Sequence, residues 1–128
     1  MKERLNSEEI ELIKNNEWII FSTANKENKP HCIVVIPSLV EENRIVISNI
    51  QMEETIRNVK ENEKCFIDVY IKEENDKQIK INGIGKIIES GKLYSSIKEY
   101  EEENNLPPEL KVNSIIEIKI IDVIVTEG

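Results

Sequence analysis

Residues 48–64, SNIQMEETIRNVKENEK, are where this sequence could hold an anion. The β-branched run RIVIS reads as a strand ending at Asn49, and helical spacing begins near Met52, so a strand passes through a tight turn into a helix start. The first turn of a helix presents open backbone N–H groups and the positive end of its dipole, which favour a phosphate or carboxylate. Against that stand Glu53 and Glu54 in the same turn. Two like unit charges about 4 Å apart repel by roughly 4 kcal/mol at an effective dielectric near 20, while an exposed helix terminus returns about 0.3 to 1 kcal/mol. Three readings follow. The acids complement the dipole from solvent and no phosphate site remains; or they point away and a cation substitutes, Arg57 lying one turn beyond Glu54 and Lys60 a turn further; or a ligand that prefers acids sits there.

Other chemistry is sparse. Cys32 and Cys65 stand far apart with no CxxC spacing, and free buried thiols are expected of both. His31, the single histidine, is adjacent to Cys32 in a predicted strand, so the two side chains point to opposite faces and do not share a metal. No side chain stands out as a catalytic acid, base or nucleophile.

The elements that must position these residues are short. The 128 residues suit one domain, 1–128, and an aromatic share of only 5% beside abundant Ile and Val favours a sheet-rich core. The formal charge of −8 excludes nucleic acid and anionic membrane surfaces as partners, since no run of Lys or Arg could neutralise a track of phosphates. No apolar run approaches the ~20 residues of a membrane span, so a soluble, cytoplasmic protein is expected.

Along the chain, LNSEEIELI predicts a helix with Asn6 as N-cap and Glu9 three residues later, running to about Asn15. EWIIFSTA is a first strand, NKENK a turn, PHCIVVIPSLV a returning strand and RIVISNI a third. Met52, Ile56 and Val59 mark an amphipathic helix, on which Thr55 and Asn58 read equally as site residues or as a polar face. In KCFIDVYIK, Cys65, Ile67, Val69 and Ile71 share one face; in QIKINGIGKIIE, Gly83 and Gly85 mark a bulge or bend that helps a sheet curl. A helix over about Lys92 to Asn104 buries Leu93, Ile97 and Tyr100 and ends before Pro107 and Pro108; EYEEEN reads as its solvated acidic face. The last strand places Ile116, Ile118, Ile120 and Ile124 on one face and Ile121, Val123 and Val125 on the other. A sheet edge with two apolar sides must be covered, and the expected cover is a second copy of the chain.

In this order the chain resembles the pyridoxamine 5′-phosphate oxidase-like family of FMN-binding split barrels over nearly its whole length. The carriers are FSTANKENKPHCIVV, similar to the family's first hairpin; RIVISNIQMEETIRNVKENEK, similar to its strand-then-helix segment; and KQIKINGIGKIIESG, similar to its long glycine-bearing strand. The resemblance implies a mainly β fold, a six-stranded antiparallel split barrel with flanking helices, acting as a homodimer with FMN at the interface. It implies phosphate binding around Ser48, Asn49, Met52, Glu54 and Thr55, the isoalloxazine against Ile33, Val34 and Val35, and a flavin contact from Gln78; Arg57 is the cation offered by the second of the three readings of the acids. The expected activity is that of a flavin oxidoreductase or small electron carrier with a small-molecule redox substrate or electron partner; the alternative is a dimeric barrel that has lost flavin. The C-terminal strand lacks the Arg/His motif with which pyridoxamine phosphate oxidases grip substrate, so that reaction is not expected. Trp18 reads as a core or dimer residue ahead of a flavin-stacking one, Tyr94 and Tyr100 as packing for the last helix, and Tyr70 as a barrel-rim residue.

Overall fold

The computed structural model describes residues 2–127. A capping box opens helix α1 (Ser7–Asn16): the Asn6 side chain accepts from the Glu9 N–H at 2.8 Å, and the Glu9 carboxylate accepts from the Asn6 N–H at 2.9 Å. Strands β1 (Ile19–Ala24), β2 (Pro30–Val35), β3 (Leu39–Val40) and β4 (Arg44–Asn49) follow, then α2 (Glu53–Glu61), β5 (Lys64–Ile71), β6 (Lys77–Ile88), α3 (Lys92–Asn104) and β7 (Ser114–Thr126). Among the described residues no helix is long and apolar enough to cross a membrane.

All paired strands are antiparallel, in the order β2-β1-β5-β6-β7-β4-β3. The two edge strands, β2 and β3, are consecutive in the chain. From Val35 to Leu39 the backbone reaches at most about 14 Å, whereas the edges of a flat sheet of this width would stand about 29 Å apart. The sheet must therefore curl until its edges approach each other at that link, and the result is a mainly β, antiparallel split barrel with three flanking helices. It has seven strands where six were expected. PHCIVVIPSLV does not run as one strand: Pro37 has no N–H for a ladder, the chain leaves β1 after Val35, and the Ser38 N–H crosses to the Val46 carbonyl at 2.8 Å.

The interior is mostly aliphatic, with Phe21 its one aromatic residue among the fully buried ones described. Phe21, Ile47, Ile67, Ile79, Ile81 and Ile118 are wholly enclosed, each worth about 1.5 to 3 kcal/mol relative to exposure. β5 alternates as its sequence predicts, with Cys65, Ile67, Val69 and Ile71 inward. The pairing of β6 with β7 slips between Asn82 and Gly83, and Gly83 is required there: a Cβ would lie 2.5 Å from Ile118 Cγ2 and 2.8 Å from the Lys119 carbonyl.

That slip corrects the expected faces of β7. Asn82 faces Asp122 while Gly83 faces Ile120, so Ile121 is the extra residue and the alternation changes phase. Ile116, Ile118 and Ile120 point inward, but beyond the bulge Val123 is buried and Ile124 exposed. Nor is β7 an edge, since it lies between β6 and β4. Ile115 and Val46 are covered by the chain's own Ile97, with Leu93, Tyr94 and Leu106 packed against the same cluster. On α3 the expected inward Tyr100 is exposed, whereas Tyr94 reaches in and donates its hydroxyl to the Val112 carbonyl at 2.9 Å. The cysteines also differ from expectation: Cys65 is buried but Cys32 is exposed, on the outward face of β2.

Candidate functional site

Two concavities meet at Met52. The larger is an open groove of about 900 Å³ between the end of β2, the start of α2 and the outer face of α3. Its wall is the edge strand and its continuation, where Val34 is 66% and Ile36 69% exposed; Trp18 and Tyr100 are exposed on either side. Because β2 pairs only with β1, half of its backbone N–H and C=O groups face away from the ladder and are free to bond a ligand or another chain. The polar end of the groove is a short chain of hydroxyls. Ser48, 3% exposed, lies 2.6 Å from the Ser38 hydroxyl, which donates to the Glu101 carboxylate at 3.3 Å; Asn105 holds the other oxygen of Glu101 at 2.8 Å.

The smaller concavity is a hollow between β2 and the first turn of α2, lined by His31, Ile33, Glu54, Thr55 and Arg57 among others. Asn49 builds its entry: its side chain accepts from the Met52 N–H at 3.0 Å and donates to Ser114 Oγ at 2.9 Å, which holds the turn while Gln51 takes a left-handed φ of 59°. Thr55 and Asn58 are not a solvated face; both are buried. Asn58 donates to Thr23 Oγ1 on β1 at 3.1 Å, docking α2 onto the first hairpin, and Thr23 pairs in register with His31. Glu54, one turn before Asn58, thereby comes beside His31, and its Oε2 lies 2.8 Å from His31 Nδ1. Glu53 is exposed, and the exposed Arg57 has no ion pair among the described residues.

The sequence-selected residues therefore divide. Val34, Val35, Ser48 and Met52 line the groove; Ile33, Glu54, Thr55 and Arg57 line the hollow with Met52; Asn49 joins Met52 and Arg57 on a neighbouring concavity and has its side chain engaged by the protein. Gln78 is not brought to them. It lies at the start of β6 opposite Tyr70, and its amide is bonded to both Asp68 oxygens at 3.2 Å. Four contributors were missed as site residues by sequence reasoning: Ser38, Glu101, Trp18 and His31. For His31 a signal existed, since two-residue periodicity puts it on the same face of β2 as Ile33. Its acidic partner is set only by the docking of α2.

A family model described as pyridoxamine 5′-phosphate oxidase matches residues 5–126. Solved structures with the same fold include HupZ from Group A Streptococcus, 14% identical with a TM-score of 0.83, covering 97% of this chain and 96% of that one. An FMN-binding protein from Syntrophomonas wolfei subsp. wolfei is 16% identical with a TM-score of 0.71, covering 93% and 84%. HutZ, described as the heme storage protein from Vibrio cholerae, is 11% identical with a TM-score of 0.68, covering 97% and 94%. No curated protein matches.

Proposed function

The chain belongs to the pyridoxamine 5′-phosphate oxidase family, and from that premise we propose that it binds FMN at the interface of a homodimer and serves as a flavin-dependent oxidoreductase or small electron carrier. The observation that carries the reading is the junction at Met52 of a large apolar groove with a small polar hollow at a helix start. A planar ring with a phosphate tail has those two parts. A groove of about 900 Å³ lies within the roughly 300 to 1,000 Å³ usual for small-molecule sites.

The residues fit the group. Val34 and Val35 offer an apolar wall beside open edge-strand amides and carbonyls, Thr55 a hydroxyl, and Arg57 a cation with no ion pair among the described residues at the hollow. Bound FMN supplies hydride or single-electron transfer at its ring. The chain's residues bind and orient the ring, keep water from one face, and donate to the phosphate from α2. Val34, Ile36, Trp18 and Tyr100 leave apolar surface in solvent around the groove, which supports a second copy as its cover. The redox substrate or electron partner then enters from the dimer surface.

A second reading is favoured by Glu54 and Glu101, which place an acid at each polar end of the site. On this reading the barrel dimerises but takes a ligand without phosphate. Titrating the purified protein with FMN and with riboflavin, followed by quenching of flavin fluorescence, separates the two. The FMN reading expects both flavins to bind and FMN to bind more tightly; equal affinity, or uptake of neither, contradicts it. Sedimentation of the same samples tests the dimer.

A further inference from the structure

We infer that His31 is a positioning residue that keeps the phosphate end of the site workable at a helix start carrying two glutamates; this rests on the FMN reading above and names the group that resolves its charge conflict. Glu54 is the second residue of α2, beside the open amides of its first turn, where a free carboxylate would compete with any anion. Instead its Oε2 is held 2.8 Å from His31 Nδ1 across the hollow, on the β2 side. The contact is not a chance meeting of long side chains, since the bond from Asn58 to Thr23 and the pairing of Thr23 with His31 fix the two backbones relative to each other.

Two further features point to a ligand in the hollow. Thr55 is 2% exposed and makes no side-chain hydrogen bond to a described residue. Because no enclosed side-chain nitrogen or oxygen among the described residues lacks a partner, the Thr55 hydroxyl is reached through the hollow that it lines. Arg57 opens onto the same hollow without an ion pair among the described residues. A hydroxyl donor and a cation without an ion pair among the described residues, with the Glu54 carboxylate engaged by a histidine, form an anion-accepting set. Glu53 is exposed and lines both the hollow and the neighbouring concavity of Asn113 and Lys60, so of the two acids at the helix start only Glu54 is engaged by the histidine.

The test is a double-mutant cycle on His31 and Glu54, read as the ratio of riboflavin to FMN dissociation constants, which isolates the phosphate. His31→Ala should free the Glu54 carboxylate and lower the preference for FMN by about three- to tenfold while riboflavin affinity stays unchanged, in the range expected for a partly exposed side-chain contact. Glu54→Gln alone should change the preference by less than about twofold, because that carboxylate is already held aside, yet should restore it in the His31→Ala background. A merely structural role for His31 would weaken both flavins together and would not be rescued at Glu54; either result overturns the inference. Should His31→Ala not fold, Glu54→Gln in the native chain decides: a preference for FMN raised more than about fivefold would show an unrestrained acid and also overturn it. Failure of the unmodified protein to bind either flavin would instead remove the FMN reading on which the inference stands.

Discussion

The groove and the hollow share Met52 but are built from opposite materials. The groove is an apolar wall of Val34, Ile36 and Trp18 with one polar end, while the hollow is a cluster of His31, Glu54, Thr55 and Arg57 at a helix start. Affinity in the first comes mainly from area removed from water, which charge screening by salt does not weaken. Affinity in the second comes from a few partly exposed charges, each worth little and all screened by salt. A ligand spanning both would be held by one and selected by the other.

The comparison breaks most completely at the groove wall. If a second copy covers the groove as proposed, Ile36→Asp sets a carboxylate in that interface at a desolvation cost of several kcal/mol, so FMN uptake should be lost and the protein should sediment as a monomer. Arg57→Ala touches only the hollow. It should weaken FMN by about tenfold, as for one charged hydrogen bond, leave riboflavin unchanged, and lose most of its effect near 1 M salt, where the screening length is about 3 Å. Unchanged FMN affinity would remove Arg57 as the substitute cation.

Smaller effects sharpen the contrast. Glu101→Gln removes the groove's charge but keeps only one of the two oxygens that accept from Ser38 and Asn105, so FMN should tighten by no more than about threefold in a fluorescence titration. Beneath α2, burial pushes the Cys65 thiol from its ordinary 9.0 up to about 12, partly opposed by the Gly85 backbone. The native state holds that proton more tightly than the unfolded chain, so stability should be intact below pH 9 and fall progressively toward about pH 12, as denaturant titrations across that range would show. In the native protein at neutral pH a maleimide should label Cys32 alone, with no effect on the groove.

Legibility in the sequence followed how local the cause was. The capping box of Asn6 and Glu9, the alternation of β5 and the helical spacing of α2 each depend on neighbours in the chain, and each could be read. Gly83 announced a bulge, but not that the extra residue would be Ile121 on the partner strand, and that one-residue slip exchanged the exposures of Val123 and Ile124. Pro37 announced a break, but not that Ser38 would cross to the far edge of the sheet and close it. The site divided in the same way. Ser48, Met52 and Thr55 lie in one strand-turn-helix segment, so their nearness could be read; Glu101 and Ser38 meet only because α3 packs beside β4, and Glu54 meets His31 only because Asn58 seats α2 on β1.

The central claim, that groove and hollow together hold FMN, is tested most directly by the visible absorption spectrum of the purified protein, with the released chromophore identified after denaturation. The account predicts flavin bands and release of about one FMN per chain. A colourless protein that takes up no added FMN, or one that carries haem in its place, would contradict it.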